Sequence, residues 1–107
     1  MNQIEASIAI QVLPKTKNDP DGAELLRIVD SVIGHIKKTG LNYFVGPFET
    51  TIEGAFDDVW DCAKECQRIC VEEGAEAVSA YIKSVYSPKA GVWSIGEKVR
   101  KYHENTQ

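Results

Sequence analysis

Long apolar runs are missing from this sequence of 107 residues. No stretch approaches the roughly 20 consecutive apolar residues of a membrane helix. The N-terminus lacks a basic region followed by an apolar block, so no secretory signal is expected and the cytoplasm is the expected compartment. The 12 Lys and Arg residues are scattered rather than interleaved with aromatics, which argues against a nucleic-acid partner. Histidine is scarce: His35 falls within an amphipathic segment, as a surface or boundary residue, and His103 lies in a polar tail where solvent is expected around it. Neither sits in a motif that would activate a serine or cysteine. There is no glycine-rich phosphate loop, and Gly91 and Gly96 are isolated. Glu49 and Glu53, four apart on a strand, stand about 13 Å from one another, too far for a glycosidase pair. The expectation is a protein that is not an enzyme and calls for no cofactor.

Cysteine is confined to Cys62, Cys66 and Cys70. On a helix these positions form one stripe whose ends are about 12 Å apart. That spacing keeps Cys62 from bridging Cys70, and i,i+4 pairs rarely meet disulfide geometry. Reduced thiols on or beside a packed helix face are the expectation, and no metal site is expected because neither histidine is near in sequence.

What is present is alternation and helical periodicity in a regular order. Ile4 to Leu13 alternates, with Ile4, Ala6, Ile8, Ile10 and Val12 on one face and Glu5, Ser7, Ala9, Gln11 and Leu13 on the other; Pro14 is the expected stop. Residues 15–22 are a polar loop in which Asp19 or Asp21 is placed to cap a helix. Ala23 to Lys38 carries Leu25, Leu26, Val29, Val32, Ile33 and Ile36 as an apolar stripe, closed at Gly40. Leu41 to Val45 and Thr50 to Glu53 are short strands joined by Gly46-Pro47-Phe48-Glu49, and so an antiparallel hairpin. Gly54 to Glu73 is a second helix, with Phe56, Val59, Trp60, Ala63, Cys66, Ile69 and Cys70 along one side. Glu76 to Tyr86 alternates again, and Ser94 to Glu104 is spaced for a short helical tail that either docks or frays.

The order β-α-β-β-α-β with right-handed crossovers leads to a four-stranded antiparallel sheet with two helices on one face, the ferredoxin-like fold, in a single domain spanning residues 1–107 with an extension from about residue 87. Both helices then cover one side. The other side would carry Glu5, Ser7, Ala9, Gln11, Thr51, Glu53, Ser79, Tyr81 and Lys83, a mixed face suited to an interface between subunits as well as to solvent.

Binding chemistry concentrates at the hairpin. Tyr43, Phe48 and Trp60 offer aromatic surface, while Thr50, Thr51 and Glu53 offer hydrogen bonds, a combination suited to a flat, nitrogen-rich or cationic ring. Each also has an ordinary structural use: covering a hairpin end, filling a core, favouring a strand or complementing a helix dipole.

Three segments, Ser7 to Pro14, Thr39 to Tyr43 and Gly46 to Gly54, carry a resemblance to the YkoF-like thiamine-binding proteins over roughly residues 4–86. The resemblance implies a cytosolic, non-catalytic binder of thiamine or its hydroxymethylpyrimidine part. It also implies a homotetramer built as a pair of dimers with sheets packed on each other and ligand near a subunit interface. By position it assigns polar contacts to Ser7, Thr50 and Glu53, and aromatic walls to Phe48 and Tyr43. Two other readings share the fold. One is a regulatory interaction module without a dedicated small ligand. The other is an acylphosphatase-like hydrolase, which the absence of arginine from Leu13-Pro14-Lys15-Thr16-Lys17-Asn18 disfavours.

Overall fold

Alternation in the first strand decides which side of the sheet is dry. In the computed structural model, which describes residues 4–104, Ala6, Ile8 and Ile10 are buried toward the helices. The elements are β1 (Ala6–Lys15), α1 (Ala23–Lys38), β2 (Asn42–Val45), β3 (Thr50–Gly54), α2 (Phe56–Glu72), β4 (Ala77–Tyr86) and α3 (Ile95–Glu104). The four strands form one antiparallel sheet in the order β2-β3-β1-β4. This is the ferredoxin-like arrangement that the periodicity predicts, with α1 and α2 packed on one face.

Register fixes the faces. Ile8 pairs with Ile52 and Ile10 with Thr50, while Tyr43 lies opposite Ile52, so these residues point to the helices. Ser7 pairs with Glu53 and Ala9 with Thr51, and these point to the other face. Ile52 is fully buried at the centre of a cluster with Ile8, Ile28, Ile36, Val59 and Cys66.

Several boundaries differ from the sequence reading, each for a physical reason. Pro14 does not end β1; it is buried within the strand, opposite Val78. Beyond Ile10 the strand has no β3 neighbour, so its outer side is an edge and a missing N–H is tolerated there. The second helix does not open at Gly54. That residue still pairs with Ala6, and α2 starts at Phe56. Gly54 sits at φ 153°, and a Cβ there would lie 3.0 Å from Leu41 Cδ2, so both backbone angle and close approach require glycine.

The apolar stripe of α1 is Ile28, Val32 and Ile36, whereas Leu25 and Leu26 are exposed. Those leucines occupy the first turn, beyond the end of β3, where the sheet has narrowed to β1 and β4 and offers nothing to cover them. The loop before α1 caps it as expected, through both aspartates. Asp19 accepts the N–H groups of Glu24 at 3.0 Å and Leu25 at 2.9 Å, and Asp21 accepts that of Ala23 at 3.1 Å. The Glu24 N–H foremost holds the Asp19 carboxyl below the usual carboxylate range.

On α2, Cys62, Cys66 and Cys70 are buried free thiols. The neighbouring thiols shift one another, Cys62 raising the Cys66 pKa and Cys66 lowering that of Cys62, and burial pushes Cys70 up. Among the described residues no group of three His, Cys, Asp or Glu side chains could hold a metal ion. No described helix is long and apolar enough to cross a membrane. The side chain of His103, expected in solvent, lies outside the described residues.

The largest difference concerns the face opposite the helices. After β4 the chain turns back, with Ser87 N donating to Glu5 O at 2.8 Å and Val92 N to Ile4 O at 2.7 Å. It then crosses the sheet, bringing α3 over Ser7, Thr51 and Phe44. The tail therefore docks, and half of the face expected to be bare is covered.

Because Ile52 is fully buried between the sheet and both helices, Ile52→Ala should destabilise the fold by about 2–5 kcal/mol. Urea unfolding followed by circular dichroism measures this, and a loss under about 1 kcal/mol would show that the site collapses around the smaller side chain.

Candidate functional site

The β2–β3 hairpin turns on Gly46, whose N–H donates to Glu49 O at 2.9 Å. A Cβ at Gly46 would lie 2.9 Å from that same oxygen, so the turn depends on glycine there. Pro47 and Phe48 project from the tip, and Phe48 is 79% exposed. The tip separates two clefts, and Phe48 forms a wall of both.

The cleft on the helix side, about 350 Å³, runs between α1 and the hairpin. Its walls are mainly apolar, from Ile10, Val12, Leu25, Leu26, Val29 and Val45, with Gln11, Glu49 and Thr50 as its polar members. The cleft on the opposite side, about 310 Å³, lies between the hairpin and α3. Phe44, Pro47, Phe48, Glu49 and Thr51 come from the hairpin, and Ile95, Lys98 and Val99 from the helix. Two exposed phenyl rings, a carboxylate, a hydroxyl and an ammonium thus meet in a space at the lower end of ordinary ligand sites. Glu49 Oε1 accepts from Lys83 Nζ at 2.8 Å, a surface pair of modest strength that a ligand can exchange for its own charge.

A third cleft, about 550 Å³, lies between α1 and α2 and is lined by His35, Asp58, Asp61, Cys62, Lys64, Glu65 and Arg68 among others. Its charges largely pair among themselves, Arg68 with Glu65 at 3.1 Å and Lys64 with Asp61 at 4.0 Å, and the His35 imidazole is the one ring in its lining, with no Phe, Tyr or Trp beside it. His35 lies at its boundary, with Nε2 buried and without a hydrogen-bond partner. The hairpin–α3 cleft is the better candidate for a ring-shaped ligand.

The residues singled out from sequence do not all converge. Ser7 and Glu53 are cross-strand neighbours on the α3 side, both buried. Thr50 and Tyr43 are on the helix side, Thr50 at the edge of the apolar cleft and Tyr43 packed against the core. Phe48 touches both clefts, while Trp60 packs against the core and meets Phe56 edge-on at 6.5 Å. Sequence reasoning missed Phe44, Glu49 and Lys98. Phe44 was legible in principle, because it shares parity with Asn42 and lies opposite Thr51. Lys98 was legible through Ser94-Ile95-Gly96-Glu97, a capping box that fixes where α3 begins. Its two reciprocal bonds are present: Glu97 N donates to Ser94 Oγ at 3.1 Å, and Ser94 N to Glu97 Oε1 at 2.9 Å.

Glu53 holds this arrangement together. It is 4% exposed, yet each oxygen has a donor: Asn42 Nδ2 at 2.5 Å on Oε1 and the Ile95 backbone N at 2.7 Å on Oε2. A carboxylate at the first turn of α3 also complements the helix dipole. Glu53 therefore joins β2, β3 and α3, and the cleft between hairpin and helix exists because that junction holds.

Comparison with known proteins gives a consistent set of similarities. A family profile described as "Thiamine-binding protein" matches residues 8–103. A UPF0045 protein of Clostridium perfringens is 42% identical over 96 residues, spanning 90% of this chain and 95% of that protein. A solved domain of unknown function, DUF77, from Bacillus cereus superposes with a TM-score of 0.84 at 35% identity, covering 98% of this chain and 96% of its own. A Thermotoga maritima protein provisionally assigned to thiamine biosynthesis or salvage superposes with a TM-score of 0.76 at 32% identity, over 92% of this chain and 98% of that one.

Two outcomes follow from the junction. Glu53→Gln sets an amide NH₂ against one of two N–H donors, and the unmatched group should cost about 1–3 kcal/mol. Amide exchange at Ile95 to Lys98 should accelerate while Ile8 and Ile52 stay protected; unchanged protection in α3 would mean that other contacts hold it. The second outcome is pH dependence. The Ser94 backbone N–H, and then its hydroxyl, hold the Glu97 carboxyl below the usual carboxylate range. A depressed folded pKa contributes stability above the unfolded pKa that is lost as pH falls through the folded one. The first turn of α3 should therefore loosen on acidification below the usual carboxylate range, which exchange or NMR shifts of Ser94 and Glu97 would report, and Glu97→Gln should flatten that response.

Proposed function

The chain belongs to the thiamine-binding protein family, and from that premise we propose that it binds thiamine or its hydroxymethylpyrimidine part, without turnover, in the cleft between the β2–β3 hairpin and α3. The observation that carries the reading is the meeting of Phe44, Phe48 and Glu49 in one cleft of about 310 Å³. Thiamine is an aminopyrimidine joined to a thiazolium cation. Phenyl faces attract such rings, and a carboxylate can accept from the exocyclic amine or neutralise the cation. Thr51 adds a hydroxyl that can donate or accept. Glu49 serves the ring, and Glu53, its oxygens committed to Asn42 and Ile95, acts as a positioning residue through α3.

The non-catalytic part of the proposal rests on the content of the cleft. Its groups suit recognition, and among the described residues its one side-chain hydroxyl, on Thr51, has no hydrogen bond to Glu49 or Lys98 that would activate it: Glu49 is bonded to Lys83 and Lys98 to Ser7. The ligand's setting extends to assembly. α3 covers only the Ser7–Thr51 half of its face, leaving Gln11, Leu13, Ser79 and Tyr81, where Leu13 is 42% and Tyr81 66% exposed. Large apolar side chains among polar neighbours suit a subunit interface. We propose that this half packs against a second copy in a cytoplasmic homotetramer, a dimer of dimers, with the ligand cleft near the seam.

Calorimetric titration of the protein with thiamine and with hydroxymethylpyrimidine tests the reading. Saturable binding of at least one is expected, and Phe44→Ala should weaken it about tenfold by removing one stacking wall. Absence of heat and of any thermal shift at about millimolar ligand would refute the assignment, since the affinity would then be weaker than about 4 kcal/mol of binding free energy.

A further inference from the structure

Beside the aromatic cleft, and continuous with it through Thr51 and Lys98, lies a depression of about 280 Å³ whose chemistry is different. Ser7, Ala9 and Thr51 form its floor, Ser84 and Val85 one side, and Lys83 and Lys98 bring two ammonium groups to it. It contains no aromatic ring and no carboxylate in its lining. The adjoining cleft, by contrast, has Phe44, Phe48 and Glu49. A ligand spanning both would meet ring faces and a negative charge at one end, and hydroxyls and positive charges at the other.

We propose that this depression is a phosphate subsite, and that the ligand class of the site is a heteroaromatic ring bearing a phosphate monoester, such as thiamine monophosphate or hydroxymethylpyrimidine phosphate. The inference rests on the reading of the aromatic cleft given above, and it names what the free alcohol end of such a ligand carries. Three observations support it. First, Ser7 is a hydroxyl only 4% exposed, and it accepts from Lys98 Nζ at 3.5 Å, a long contact that leaves its own O–H free to donate to an anion. Second, among the described residues Lys98 has no carboxylate partner within ion-pair distance, so none of them cancels its charge locally. Third, Lys83 is bound to Glu49 at 2.8 Å across the boundary of the two spaces. A zwitterionic ligand satisfies that pair in the same sense, its cation or amine turning to Glu49 and its phosphate to Lys83. Neither the ring end nor the phosphate end is then left with an unmatched charge.

Charge-assisted hydrogen bonds from two ammonium groups and a hydroxyl should make the phosphorylated ligand bind about tenfold or more tightly than its alcohol. The test is calorimetric titration of the full chain, in a non-phosphate buffer, with thiamine, thiamine monophosphate, hydroxymethylpyrimidine, its phosphate, and inorganic phosphate. The quantity read is the affinity ratio of each phosphate ester to its alcohol. In the wild type a ratio of about ten or more is expected, with inorganic phosphate binding far more weakly than either ester. In Lys83→Gln and Lys98→Gln each ratio should fall toward one, and circular dichroism with thermal unfolding checks that both variants are folded. Should one variant fail to fold, the other still reads the ratio, and raising salt from low to moderate concentration should reduce it in the wild type. A wild-type ratio near one with the alcohols bound overturns the phosphate subsite and leaves the aromatic site standing. A high ratio that persists in both lysine variants overturns the assignment to this depression. Failure of every ligand to bind overturns both readings.

Discussion

A carboxylate that is 4% exposed has to be answered by donors, and the answer given to Glu53 organises one whole side of this protein. One donor comes from a neighbouring strand and the other from the first turn of a helix some forty residues later in sequence. The first fixes the outer strand β2 to β3; the second brings the C-terminal segment across the sheet. The capping box at Ser94 and Glu97 makes the helix begin at the place where its N-terminus can face that carboxylate. Remove the buried charge and the tail loses the group that gives its N–H a partner. With the tail go Ile95, Lys98 and Val99, which are one wall of the cleft beside the hairpin. The candidate binding surface is therefore a consequence of satisfying a buried anion, and in the proposed mode the same residue need not touch a ligand to matter to it.

The sheet and its two covering helices were legible because their signals are local and periodic. Ile8, Ile10 and Ile52 alternate with polar neighbours, and Ile28, Val32 and Ile36 recur at four-residue steps, so a reader of the sequence can tell inside from outside. The topology followed from that order, and so did the placing of Ser7 and Glu53 on one face, though not their direct pairing. What did not follow depends on how far elements extend past one another. Leu25 and Leu26 look like core residues by spacing, and they are exposed because β3 stops short of them. Pro14 looks like a strand end, and it is tolerated because β1 outruns its neighbour on that side. Periodicity carries no information about the length of the element across the sheet.

The site was half legible for a related reason. Sequence spacing grouped Tyr43, Phe48, Thr50 and Glu53 because they are close along the chain, but a strand sends alternate side chains to opposite faces. Tyr43 and Thr50 went to the helices, and Phe44 and Thr51 to the other side. Strict parity from Ile52 would have made that division. Lys98 belongs to a segment whose apolar content is low, and its docking is decided by a hydrogen bond to a buried carboxylate rather than by hydrophobic patterning. No period in the tail announces such a contact; only the capping box gives its start.

The arrangement also separates two carboxylates by task. Glu53 is buried and both its oxygens are taken, so using it on a ligand would mean replacing good intrachain donors with others, for little net gain. Glu49 lies four residues earlier, in the hairpin loop before β3, more accessible, and held by a single lysine whose side chain is 76% exposed. An exposed ion pair contributes little to stability, so exchanging its partner costs little. In the proposed binding mode, recognition of a charged ring therefore falls to the residue that the fold can spare, and the fold itself to the residue it cannot. That division follows from burial alone. It predicts a site whose polar contacts lie toward the hairpin tip and α3 rather than at the strand centre where the most conspicuous carboxylate stands.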